Sequence, residues 1–263
     1  MGRSEEAIAA YDEVLERFHE DATAAIRSVA ATALLNKANS LHGRMGKTEA
    51  AIAVYDEMVA LFGDELEPSI RELVSKALVN KGITLGRQEE FEEATAVYDE
   101  AVLRFGEDSE PAIREEVGQA LVNKGNTLSW LGKPEEAIAA YDELVARFGD
   151  HPEPDILEHV ASALVNKGMR LGELGLNEEA LAAFDEILAR FPFEQVAARP
   201  RPAIAVLQRG IQLNHLHRSP ESGLTRLLWH RYGAAFDSSG RKRLWSFSGW
   251  RSQFETQASG RSS

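Results

Sequence analysis

Asparagine recurs at one interval along this chain, at Asn36, Asn80, Asn123 and Asn166, with Gln208 as a further rung. A side-chain amide carries an NH2 donor and a carbonyl acceptor, the complement of a peptide unit. Asparagine is a mediocre helix former because its side chain competes for backbone hydrogen bonds, so propensity does not explain four copies within helical periodicity. Two chemistries fit the pattern. The amides could hold the backbone of an extended peptide, or they could join neighbouring helices and keep them in register. The sequence leaves both open.

Residues at −4, +3, +4 and +7 from each asparagine share its helical face. They are Lys76, Ile83, Thr84 and Arg87; then Gln119, Asn126, Thr127 and Trp130; then Ser162, Met169, Arg170 and Glu173. The expected peptide-binding face therefore comprises Asn36, Asn80, Asn123, Asn166, Lys76, Ile83, Arg87, Asn126, Trp130, Met169 and Arg170. Most of its charged positions are basic, although residues 1–194 carry a net charge of −21. Such a face suits a neutral or mildly acidic ligand, with Trp130 either an exposed anchor or a packing residue.

Other chemistries fare worse. The pairs Asp56-Glu57, Asp99-Glu100, Asp142-Glu143 and Asp185-Glu186 look like acid/base dyads. Adjacent helical residues diverge by about 100°, so none of the four pairs converges on one bond or one metal ion, and a solvated face is expected. Lys81, Lys124 and Lys167 recur beside the asparagines, where their stems can pack while the ammonium reaches water or a carboxylate. The seven histidines are scattered and there is no cysteine. No zincin spacing, phosphate loop or nucleophile elbow occurs, so no enzyme activity, metal or cofactor is expected.

These residues are carried by a repeat. The phrase Tyr11-Asp-Glu-Val-Leu-Glu-Arg-Phe18 returns in variants beginning at Tyr55, Tyr98, Tyr141 and Phe184, with offsets of 44, 43, 43 and 43 residues. Such self-similarity is the mark of a stacked solenoid. In the copy from Pro68 to Phe105, Ile70, Val74, Leu78, Gly82 and Leu85 line one helical face, and Ala94, Tyr98, Ala101 and Phe105 line a second. Proline suits the first helical turn at Pro68, Pro111 and Pro154, predicting first helices of about 20 residues ending near Arg87, Trp130 and Glu173. Gly63, Gly106 and Gly149 occupy places where a left-handed C-terminal residue is expected. Small residues (Gly82, Gly125 and Gly168; Ala94, Ala137 and Ala180) mark close approach of the two helices.

The order Leu78-x-x-Lys81-Gly82-x-x-Leu85, then Ala94-x-x-x-Tyr98, resembles the tetratricopeptide repeat. Leucine replaces that family's Trp and Tyr, lysine stands at its Leu position, and the period is 43 residues rather than about 34. The resemblance implies an all-α, right-handed solenoid of antiparallel helical hairpins that binds a protein or peptide along its concave face. Within it, the asparagine series is similar to the ladder lining the superhelix of O-linked N-acetylglucosamine transferases, which holds extended peptides.

The expected organisation is a half repeat at 1–20, repeats at about 22–62, 68–105, 111–148 and 154–191, and a degenerate hairpin at 200–233. A disordered basic tail follows at 234–263, with 11 basic and 3 acidic residues after position 194. Its Arg241-Lys-Arg243 with Trp245, Phe247 and Trp250 has a composition that could touch nucleic acid, but an acidic body opposes this. No run of about 18 apolar residues occurs and the N-terminus lacks a signal-peptide profile, so a cytoplasmic protein without a membrane span is expected. The leading expectation is a non-enzymatic interaction scaffold. The alternative is a fragment of a larger multidomain regulatory protein whose repeats hold an intramolecular partner. The sequence does not reach the oligomeric state.

Overall fold

A computed structural model describes residues 2–16, 23–190, 208, 209 and 212. The expected degenerate hairpin at 200–233 lies outside the described residues except at 208, 209 and 212, and the tail at 234–263 lies wholly outside them. Among the described residues the chain is all α-helix, with no strand. The order is α1 (Gly2–Glu16), α2 (Ala24–Met45), α3 (Thr48–Phe62), α4 (Pro68–Arg87), α5 (Phe91–Phe105), α6 (Pro111–Trp130), α7 (Pro134–Phe148), α8 (Pro154–Glu173) and α9 (Asn177–Arg190).

Helices α2/α3, α4/α5, α6/α7 and α8/α9 form hairpins, and each hairpin packs on the next. The first helices α2, α4, α6 and α8 also pack directly on one another, whereas the second helices make no comparable mutual contact among the described residues. One side of the solenoid is therefore a continuous wall of first helices. That wall carries the asparagine series.

Each hairpin closes around one aromatic ring. A Cβ added at Gly82 would stand 2.4 Å from Tyr98 Cε1, and the same holds at 2.3 Å for Gly125 against Tyr141. Glycine is required there because the ring occupies the space of a side chain. The added length of the first helix also belongs to the core. Ile70, Val74, Ile113, Val117, Ile156 and Val160 are all buried, so the extra turns supply two apolar anchors per repeat. Burying each such side chain is worth about 1.5–3 kcal/mol, which explains why a long first helix is kept. The connecting segments are tied to these turns: Arg71 grips Asp108 at 3.0 and 2.5 Å while its guanidinium lies 5.3 Å from the Phe105 ring centroid. Arg114 bonds Glu153 at 2.8 Å in the next copy.

The glycine expectation needs correction. Gly63, Gly106 and Gly149 are right-handed, with φ of −59°, −60° and −58°. Their reason is steric: a Cβ at Gly106 would stand 2.5 Å from the Val102 carbonyl oxygen and 3.0 Å from Arg147 Nη1, which donates to the Gly106 carbonyl at 3.3 Å. The left-handed residues fall instead at the turn inside each hairpin, at Gly46 (φ 64°), Glu89 (φ 65°), Gly132 (φ 72°) and Gly175 (φ 79°). There the next amide bonds back to the first helix, as Lys133 N–H does to Leu128 O at 2.9 Å.

Candidate peptide-binding face

The asparagines lie on the wall of first helices and bond across it. Asn80 on α4 donates from Nδ2 to Asn39 Oδ1 on α2 at 3.1 Å, and Tyr55 donates its hydroxyl to the same oxygen at 2.6 Å. Two hairpins on, Asn166 donates to Asn126 Oδ1 at 2.8 Å, and Tyr141 donates to that oxygen at 2.8 Å. An amide at the +3 position of one hairpin thus accepts from its own aromatic and from the next asparagine. This series of +3 positions runs Asn39, Ile83, Asn126, Met169.

The ladder breaks where the acceptor is missing. Ile83 stands at the +3 position below Asn123, and Asn123 Nδ2 is buried without a hydrogen-bond partner. Above Met169, the aromatic is Phe184, which has no hydroxyl to satisfy. Asn36 is exposed near the start of the wall.

The remaining expected face residues are spread along the same wall. Trp130 closes α6 and is 77% exposed, so it is no packing residue. Arg87, exposed at the end of α4, bonds His42 at 2.7 Å. Burial, then the Arg87 charge, holds His42 below the ordinary histidine range. Lys76 pairs with Glu72, a bond that pushes its ammonium pKa up. Arg170 pairs with Glu173 at 2.8 Å, while Ile83 and Met169 are half-buried and pack on the core. The face is polar, partly self-paired and carries one large open aromatic.

Sequence reasoning stopped four residues upstream of each asparagine and missed the next turn. Seven residues before Asn123 and Asn166 stand Glu116 and His159, which repeat Leu73 at the same interval. Burial raises the Glu116 carboxyl to about 7 against the opposing pull of Lys76. Burial lowers the His159 imidazole, which lies against Gly118 of α6. The 43-residue spacing itself could have pointed to both.

The recurring lysines and Asp-Glu pairs form a second ladder. Lys37 pairs with Asp12 at 2.6 Å and Lys124 with Asp99 at 2.5 Å, while Lys81 joins Asp56 and Lys167 joins Asp142. Each bond runs from a first helix to the second helix of the preceding hairpin. Arg209 continues the series to Asp185. The aspartates are about half exposed, so the solvated-face reading located them but missed their partners. Three glutamates of the pairs hold arginines one turn on, as Glu143 does Arg147 at 3.0 Å. Among the described residues no group of three or more His, Asp or Glu could hold a metal ion, and no helix is long and apolar enough to cross a membrane.

The tetratricopeptide repeat family model matches residues 1–65, 79–152 and 122–195, more than half of the chain. The chain belongs to the tetratricopeptide repeat family. Among solved structures, it is similar to BtubC from P. vanneervenii at 17% identity, covering 92% of this chain and 96% of that one with a TM-score of 0.64. YrrB, described as a tetratricopeptide repeat protein with an unusual peptide-binding site, matches at 19% identity over 82% of this chain and 88% of that one, TM-score 0.51. PilF of Pseudomonas aeruginosa matches at 16% identity over 87% and 92%, TM-score 0.52. At such identities the likeness establishes the fold. No curated protein matches the chain. Family membership makes this repeat array a protein-interaction scaffold.

Proposed function

We propose that the chain is a non-enzymatic scaffold holding an extended peptide, or an extended segment of a partner protein, along the wall of first helices. The observation that carries this reading is Trp130, 77% exposed at the end of a helix whose other large apolar residues are buried. Exposed tryptophans are enriched among residues that dominate binding energy. The peptide-binding site of YrrB supports the choice of ligand class. Neighbouring first helices stack about 8–10 Å apart, so a peptide rising about 3.3 Å per residue meets one rung at every third residue.

In this reading Trp130 anchors an apolar side chain, with Ile83 and Met169 on the flanking first helices. Lys76, Arg87 and Arg170 favour a neutral or acidic ligand. Asn36, Asn80, Asn126 and Asn166 offer amide hydrogens to its backbone, since an interhelical bond uses one of the two of Asn80 or Asn166, whereas the Nδ2 of Asn123 is buried.

The test is selection of a random dodecamer peptide library displayed on phage against the full chain, followed by affinity measurement with the enriched peptide. Trp130→Ala should weaken that peptide by at least about tenfold, a loss of about 1.4 kcal/mol. Unchanged affinity would show that peptides dock elsewhere.

A further inference from the structure

The edge of the solenoid formed by the turns inside the hairpins holds apolar side chains in solvent. Trp130, at the end of α6, is 77% exposed, and Leu174 and Leu176, in the turn joining α8 to α9, are 39% and 42% exposed. Helices α6 and α8 pack on each other, so these residues stand at corresponding ends of neighbouring hairpins. Beside them the first turns of α5, α7 and α9 present Glu92, Glu93, Glu135 and Glu179. All four carboxylates are exposed, and none has an ion pair among the described residues.

Elsewhere the acidic body largely balances itself. On the opposite edge Arg27 pairs with Glu65 at 3.0 Å, Arg114 with Glu153 at 2.8 Å and Arg147 with Glu107 at 2.8 Å. On the second helices, Asp56, Asp99 and Asp142 each hold a lysine. The turn edge is where apolar surface and unpaired negative charge coincide, and its complement combines aromatic side chains with positive charge. Residues 238–254 of this chain have that composition. They contain Arg241, Lys242, Arg243 and Arg251 with Trp245, Phe247, Trp250 and Phe254, and no acidic residue. The path of the chain brings them within reach. Gln212 is buried beside Gly172, where an added Cβ would meet its amide at 2.3 Å, two residues before Leu174. From there 28 residues lead to Arg241, each able to span up to about 3.3 Å, whereas α9 and α5 lie two hairpin steps of about 8–10 Å apart.

We propose that residues 238–254 dock in cis on this turn edge, with their basic groups among the four glutamates and their aromatic side chains on Trp130, Leu174 and Leu176. Attachment to the body gives the segment an effective concentration on the order of millimolar, so weak contacts suffice. Arginine also stacks favourably on an exposed tryptophan. Occupied in this way, Trp130 is closed to other ligands until the tail is displaced. The docking needs no added peptide, so it and peptide binding can fail separately.

The chain has no cysteine, so an engineered pair reports proximity in the full-length protein. Lys133→Cys lies in the exposed α6–α7 turn and leaves every glutamate in place, and Ser246→Cys lies between the tail aromatics. The reference pair is Glu57→Cys, exposed on α3, with Ser246→Cys. Under mild oxidation of dilute protein, the Lys133→Cys pair should close within one chain at least about tenfold faster than the reference. Adding Glu92→Gln, Glu93→Gln, Glu135→Gln and Glu179→Gln should slow that closure about tenfold while the circular dichroism is unchanged, and Trp130→Ala should slow it too. Salt at about 1 M, where screening shortens to about 3 Å, should act in the same direction. Equal rates for the two pairs, a disulfide formed between copies instead of within one, or closure indifferent to the four glutamines would each overturn the proposal.

Discussion

Asn166 donates its side-chain amide to Asn126 across the α6–α8 boundary at 2.8 Å, and the hydroxyl of Tyr141 donates to the same oxygen. One side-chain carbonyl therefore ties together three helices of two consecutive hairpins. At the preceding boundary the pattern fails, because Ile83 replaces the acceptor and Asn123 Nδ2 is left buried and unbonded.

This contrast predicts different costs for one substitution. Asn166→Ala should lower stability by about 0.5–1.5 kcal/mol, the net worth of a hydrogen bond. Asn123→Ala should leave stability unchanged or raise it by about 0.5 kcal/mol, since alanine is the better helix former and no bond is lost. Ile83→Asn restores the acceptor for Asn123, so its effect should depend on that residue with a coupling on the order of 1 kcal/mol. Urea midpoints of the four-member cycle measure it, and equal losses for Asn166→Ala and Asn123→Ala would refute the distinction.

Glu89 occupies a left-handed turn position, φ 65°, that glycine fills in the three other hairpins. A side chain in that region costs roughly 1–2 kcal/mol, part of which glycine gives back as freedom in the unfolded chain. Glu89→Gly should therefore stabilise by about 0.5–1 kcal/mol and raise the melting point by a few degrees. Glu89 bonds its N–H to Gly86 O at 3.2 Å, an interaction that glycine retains. A lower melting point would mean that the Glu89 side chain has an unrecognised partner.

The helical hairpins were legible because two apolar stripes of helical period recur with proline at one fixed place, and α4, α6 and α8 begin at those prolines. The left-handed turns were not, because glycine marks two different constraints in this repeat. At Gly132 it relieves the backbone, and at Gly106 it clears both the Val102 carbonyl oxygen and the guanidinium of Arg147, a residue 41 positions away. Spacing within one copy cannot separate these. The asparagine face was legible as a row, whereas its bonding depends on the residue three positions on in the preceding copy, visible only once copies are stacked. The lysine–aspartate ladder was hidden for the same reason, as each pair spans 25 residues and two hairpins.

Close helix approach gives a paired prediction on two glycines. A Cβ at Gly125 would lie 2.3 Å from Cε1 of the buried Tyr141 ring, so Gly125→Ala should destabilise by about 1–3 kcal/mol through overpacking. Gly86 lies in α4 with nothing within 4 Å of an added Cβ. There Gly86→Ala should stabilise by about 0.5–1 kcal/mol, the helical penalty of glycine. Both follow from thermal melts, and a destabilised Gly86→Ala variant would mean that the wall of first helices is tighter at that point than its geometry implies.

One contribution to stability should be lost as pH rises from about 4.5 to about 7, for a reason located at Glu116. Burial raises its carboxyl from 4.5 to about 7, with Lys76 pulling it down, then Glu115 and Glu72 pushing it up. The folded chain therefore holds a proton that the unfolded chain has released, so the folded state gains from that proton at low pH and loses the gain between about 4.5 and about 7. His159 acts in the opposite sense: its lowered pKa means that stability is lost as pH falls below the ordinary histidine value. The two groups can be separated by substitution. Glu116→Gln keeps the shape without the charge, and should stabilise by on the order of 1 kcal/mol at pH 8 but by much less at pH 5. Urea midpoints at the two pH values give the comparison. An equal gain at both would assign the benefit to packing, and no gain at pH 8 would mean that Lys76 already neutralises Glu116 in the fold.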